Sequence, residues 1–366
     1  MRKFLTLVFE KLAKKSSEKE NPVTILGKNK VASEIKFSRN QDKVKKIPKR
    51  RKQKETKSTN LPEEILSSIS PQKMKLITVA GDIRLDPDKT ESAFIARQLV
   101  QATLPHKNPG DIPAWSRNNG DLTLTIRPGW DEKKKKIIGY PYGTIPRLLL
   151  FWITKEAIRT KNPRIELGDS LSQFMEELGL TSKGTGKRSD FKRLKDQMVR
   201  LSRSTISFTQ SSNSNYSWLD MQVAPKGMVW WNEKQPNQRT LWQNWIQLGD
   251  DFFKAITSSP VPVDMRILKA LKRSPLALDL YAWATYTAYR TQKNEQAHSI
   301  SWEMLHEQFG AEYSDTKDFS KKAWMALTKV KLVYPELAVE RVYGGIKILP
   351  SKPSITIKQK KSQKVS

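Results

Sequence analysis

Cysteine is missing from all 366 residues of this chain. Its absence removes disulfide bridges, thiolate nucleophiles and thiolate metal sites together, and it fits a reducing compartment. Histidine is scarce as well. His106, His298 and His306 are too scattered to build the clustered metal site that a nicking enzyme joins to a tyrosine nucleophile. No apolar run approaches the roughly 20 residues needed to span a bilayer. Met1 to Phe9 combines a basic pair with a short apolar run, but Glu10, Lys11 and Lys14 follow where a cleavage site belongs, which argues against a signal peptide. A phosphate-binding loop fails too: around Gly184, Gly186 and Lys187, Thr181 stands where the first glycine belongs and Arg188 where the magnesium ligand belongs. Asp250 and Asp251 form a carboxylate pair, but the first turn of a helix attracts acids without any catalytic role. These gaps lead to the expectation of a protein that is not an enzyme, holds no cofactor or metal, and does not enter a membrane.

What is present is positive charge. The chain has 66 Lys and Arg against 37 Asp and Glu, a formal net charge of +29. Residues 1–75 hold 21 basic and 8 acidic side chains, and residues 352–366 hold five lysines and no acid. About +11 is left for the middle, so the folded part is itself basic and should attract phosphate.

Composition divides the chain at the same places. Residues 1–74 are rich in Lys, Ser, Glu, Asn and Pro, with a basic peak near 45–54, and offer too little apolar surface to offset the entropy of ordering; a disordered basic tail is expected. Residues 351–366 form a second basic tail. The intervening stretch exceeds what one hydrophobic core usually serves, and two domains are expected, 75–249 and 250–350. Within the first, residues 76–80 and 122–126 read as strands and 146–159 as a mostly buried helix. A short extended piece follows at Ile165 and Leu167, then a helix over 171–178 capped by Asp169 or Ser170 and closed by Gly179, then a helix over about 189–201. Strands are expected at 204–209, 216–223, 228–231 and 241–248, with 232–239 a hairpin loop. The second domain repeats the order: helices at 250–256, 265–271, 275–290, 302–309 and 317–331, then a hairpin over 339–342 and 346–349. Ser170 to Gly179 and Ser301 to Gly310 are matched cap-to-cap blocks, and Asp190–Phe191 and Asp318–Phe319 open the helices that follow. This reads as an internal duplication. The expected fold is α+β, two tandem winged-helix domains behind a disordered basic tail.

The helix after Gly186 separates its faces by chemistry. Phe191, Leu194, Met198 and Leu201 recur at three- and four-residue spacing and form a buried stripe. Arg188, Lys192 and Lys195 form another stripe, flanked by Lys187 and Arg193. From 180 to 203 there are 8 basic and 2 acidic residues, whereas an ordinary solvated face mixes both signs. A groove-facing helix needs this division, because one face meets phosphates and base edges while the other anchors it. In the second half Phe319, Ala323, Leu327 and Val330 form the stripe, leaving Lys317, Ser320, Lys321, Trp324 and Thr328 outside. That face is less charged and richer in hydrogen-bonding groups, which suits base reading.

Several strings then carry a resemblance. They are Gly143 to Leu150, Glu156 to Thr160, Leu167 to Met175, Arg193 to Leu201, Phe252–Phe253 with Pro260 to Asp264, and Ser274 to Trp283. Together they are similar to the RepA-type plasmid replication initiators over roughly residues 140–330. The resemblance implies a bacterial cytoplasmic protein that binds double-stranded DNA at origin direct repeats (iterons), helps open the neighbouring duplex, and recruits the host initiator and replicative helicase. A monomer on one repeat and a homodimer both stay open. A transcriptional repressor shares every residue-level feature above, although repressors usually manage with one such domain per subunit.

Overall fold

Two long helices, each apolar on nearly every side, hold the fold together. The first, α3 (Thr144–Thr160), buries residues around most of its circumference from Ile145 to Ala157. Its counterpart α8 (Pro275–Asn294) starts with Pro275 in its first turn and Ser274 as N-cap, the Ser274 hydroxyl accepting from the Ala277 amide, and it buries Leu276 through Thr285 without interruption. A helix that is apolar all round belongs inside a core. In this computed structural model, which describes residues 69–86, 91–168, 170–181, 189–212, 215–229, 244–310 and 312–355, one continuous apolar cluster runs from Leu76 to Ile348.

Around these helices the same order of elements occurs twice. After α3 come β6 (Arg164–Glu166), α4 (Leu171–Glu177) and α5 (Asp190–Ser202), and later β9 (Lys226–Met228) and β10 (Trp245–Gln247). The sheet order is β6-β10-β9, all antiparallel. After α8 come β12 (His298–Ser301), α9 (Trp302–Phe309), α10 (Thr316–Val333), β13 (Val339–Val342) and β14 (Gly345–Ile348), in the order β12-β14-β13. In both sheets the last strand lies between the other two. The matched caps are present: Ser170 accepts from the Gln173 amide and Ser301 from the Met304 amide. Gly179 ends the first block with φ +68. Gly310 serves a different purpose, since a Cβ there would collide with the His306 ring.

The remaining elements tie the halves together. Helix α1 (Pro71–Leu85) and strand β1 (Ser92–Ala96) precede a short α2 (Arg97–Gln101). Strand β1 pairs antiparallel with β11 (Pro260–Asp264), which lies between α6 (Asp250–Ser258) and α7 (Met265–Leu271). A four-stranded sheet in the order β2-β3-β7-β8 joins β2 (Trp115–Asn119) and β3 (Leu122–Arg127) to the hairpin β7 (Thr205–Ser212) and β8 (Asn215–Gln222). A small hairpin of β4 (Trp130–Asp131) and β5 (Lys136–Ile137) follows β3.

Beneath these elements lies a buried ionic network. The Arg147 guanidinium on α3 donates to both oxygens of Asp279 on α8, at 2.7 and 2.8 Å, and to the carbonyls of Leu104, Pro105 and Gly143. His106 Nε2 lies 2.8 Å from Asp279 Oδ2, and Arg117 on β2 pairs with Glu312 at 3.1 Å. Burial alone would raise the Asp279 carboxyl, but the Arg147 charge and the His106 and Arg147 hydrogen bonds hold it well below the usual carboxylate range. Burial lowers His106 from its ordinary value, outweighing the hydrogen bond with Asp279.

One expectation fails outright. Residues 76–80 are helical, within α1, and bury Leu76, Ile77 and Ala80; the β-branched run Ile77-Thr78-Val79 resembles a strand, but a run this short does not separate the two periods. Among the described residues, the strands expected at 228–231 and 241–248 correspond to Lys226–Met228 and Trp245–Gln247, residues 230–231 and 241–243 lying outside the described residues. Of the disordered tail expected over 1–74, residues 1–68 lie outside the described residues, but residues 71–74 are already helical in α1; the hairpin loop expected at 232–239 and residues 356–366 of the C-terminal tail also lie outside the described residues.

Candidate nucleic-acid interface

Helix α5 is set by its cap and its apolar stripe. The Ser189 hydroxyl accepts from the Lys192 amide, which fixes the first turn. Phe191, Leu194, Met198 and Leu201 are buried as the spacing requires, with Gln197 among them accepting from the Tyr142 amide at 2.8 Å. That stripe turns Lys192, Arg193, Lys195, Asp196 and Val199 outward. Their commitments differ. Arg193 pairs with Asp190 at 3.3 Å and Asp196 with Arg200 at 2.9 Å, whereas Lys195 has no ion pair among the described residues. Surface pairs of this kind contribute little and exchange readily for a phosphate. Lys187 and Arg188 lie outside the described residues.

Helix α10 follows the same design. Asp315 caps it, accepting from the Asp318 amide at 2.7 Å, and Phe319, Ala323, Ala326, Leu327, Val330 and Val333 face the core. Lys317, Lys321, Lys322 and Thr328 are exposed, with Met325 beside them. Ser320 is half-buried and its hydroxyl donates to the Lys317 carbonyl at 2.9 Å, leaving only its acceptor capacity for a ligand. Trp324 lies between core and surface, with the Arg341 guanidinium 6.0 Å from its ring and 5.9 Å from that of Trp302.

The structure adds two groups to those expected from sequence. At the turn joining β13 to β14, Tyr343 is fully exposed ahead of Gly344, whose φ is +69; Arg341 is on the same hairpin. The signal for this turn is the Tyr-Gly-Gly string, while nothing in sequence brings Arg341 over Trp324. Beside α5, the β4–β5 hairpin carries Lys133, Lys134, Lys135 and Lys136, all exposed. Arg203, at the C-cap of α5, donates to the Trp130 carbonyl and to Glu132, both at 3.1 Å. The lysine tract is thereby attached to the end of the basic helix. Four successive lysines are visible in the sequence, but their attachment to α5 is not. Among the described residues no group of three or more His, Asp or Glu side chains is placed to hold a metal ion, and no helix is long and apolar enough to cross a membrane.

Comparison with known proteins agrees with the sequence strings. Residues 140–304 match the family described as plasmid encoded RepA protein. A solved structure of domains 2 and 3 of RctB is similar at 12% identity and a TM-score of 0.42, over 68% of this chain and 94% of that one. No curated protein matches.

Proposed function

We propose that the chain, whose residues 140–304 match the family described as plasmid encoded RepA protein, is a plasmid replication initiator that reads the direct repeats of an origin as double-stranded DNA. One observation carries this reading: the order helix, strand, helix, helix, strand, strand recurs in both halves with the same sheet order, the first half carrying the β7–β8 hairpin as an insertion before its last two strands, and in each the third helix turns a basic face outward. Each half is then a winged helix. Helices α5 and α10 enter the major groove, and the β13–β14 turn with Tyr343 lies along the adjacent backbone. Phosphate binding falls mainly to Lys192, Arg193 and Lys195 together with Lys187 and Arg188. Lys317, Lys321 and the acceptor of Ser320 meet base edges.

Two dissimilar reading helices in one chain call for a site without twofold symmetry, spanning about two helical turns, on which one chain suffices. Opening of the adjacent duplex and recruitment of a host initiator and helicase follow from the family. No strand is cut in this scheme, so supercoiled plasmid incubated with magnesium stays intact. The test is a footprint on the DNA beside the gene, combined with sedimentation on one isolated repeat. Head-to-tail repeats, each protected by one chain, are expected; a single palindrome occupied by two chains would mark a repressor instead.

A further inference from the structure

The four-stranded sheet β2-β3-β7-β8 covers the core with one face only. Ile206, Phe208, Met221, Leu124, Ile126 and Trp115 point inward. The alternation of a strand puts Tyr216, Trp218 and Asp220 of β8 on the opposite face, and by register Thr209 lies opposite Trp218 and Ser211 opposite Tyr216. Tyr216 and Trp218 are 64% and 67% exposed, with ring centroids 5.9 Å apart and planes tilted by 41°. The two rings border a shallow cleft of about 270 Å³, floored by Thr125, Arg127, Ser207 and Thr209. Two large aromatic rings standing in solvent on a sheet of small polar side chains have no structural task there.

We propose that this face binds single-stranded nucleic acid, with successive bases stacked on Tyr216 and Trp218. The proposal goes beyond the duplex reading and does not depend on it. Two residues along a strand advance about 6.7 Å, a step that an extended single strand can match, and stacking tolerates any base because every base has a π-face. The neighbours of the rings are hydroxyls that donate and accept, not the aliphatic side chains that a partner helix would require. Charge points the same way. Asp220 is the acid in this cleft, and Arg127 lies 3.6 Å from it and also donates to Ser207. Just beyond Arg127 the chain enters the β4–β5 hairpin with its four exposed lysines, a track for the phosphates of a strand leaving the rings. Bases inside a duplex are already stacked on one another, so a flat platform selects unpaired ones.

Fluorescence anisotropy of the full chain with a labelled oligothymidylate of about 16 nucleotides tests this, alongside a labelled duplex. Tyr216→Ala with Trp218→Ala should weaken the single strand by about tenfold or more, while Tyr216→Phe with Trp218→Phe, which keeps both rings, stays within about threefold of the unaltered chain. Duplex binding should not change in either variant, and thermal unfolding checks that both remain folded. Three results would overturn the proposal: no binding of the oligothymidylate by the unaltered chain, undiminished binding by the alanine variant, or equal losses in the alanine and phenylalanine variants. Failure of the duplex reading is read separately, from the duplex arm.

Discussion

His106 is the residue whose surroundings differ most from what its position in the sequence suggests. It stands alone between Pro105 and Lys107, but folding brings it against Asp279 and Glu312, with Arg147 and Arg117 in the same buried network. Burial lowers its proton affinity, so between its folded value and the ordinary 6.5 the unfolded chain holds a proton that the folded chain does not. Stability is therefore full above that window and falls as the pH drops through it. Asp279, held low, adds a further loss only in stronger acid, below its ordinary 3.8. Thermal midpoints taken between about pH 7.5 and pH 5.5 should fall more steeply for the unaltered chain than for His106→Gln. Parallel slopes would show that His106 does not carry the effect. Removing the partner is harsher: Asp279→Ala leaves the Arg147 charge buried and should cost about 3–5 kcal/mol in chemical denaturation.

At the scale of elements, α5 yields a quantitative test. If its outer face meets phosphates, Lys192→Ala with Lys195→Ala should weaken every duplex alike and reduce the slope of log affinity against log salt by about 0.9 for each phosphate that is no longer neutralised. An unchanged slope would remove α5 from the interface. The face of this helix was legible because its signals are local: Ser189, the three- and four-residue spacing of Phe191, Leu194, Met198 and Leu201, and the lysines between them all lie within a few turns. The Ser170 and Ser301 caps were legible for the same reason. Strands β1 and β11 were not, since their pairing joins Ser92 to Asp264 and neither carries a periodic pattern long enough to declare itself. Residues 204–209 and 216–223 read as strands, but their joining to β3, and with it the exposed platform of Tyr216 and Trp218, depends on partners some eighty residues away. Arg203 is a similar case, ordinary in sequence and given its role by the hairpin it grips.

For the whole molecule, the central question is what keeps α5 and α10 in register with each other. The pairing of β1 with β11, the Arg147–Asp279 pair and the Arg117–Glu312 pair each join a segment before residue 150 to one after residue 259. Strand pairing and buried ion pairs resist relative motion, because separation would leave backbone groups and charges unsatisfied away from water. If α5 and α10 read DNA as proposed, they work as a caliper with its jaws set. Inserting about five base pairs in the middle of a repeat carries one half-site to the far side of the duplex, and inserting about ten restores the side but moves it roughly 34 Å away. Both insertions should abolish protection of one half of the repeat, and tight, full-length protection of the ten-base-pair insert would mean that the jaws move. If they are set, an origin served by this protein can drift in the letters of its repeats, but it cannot drift in their length.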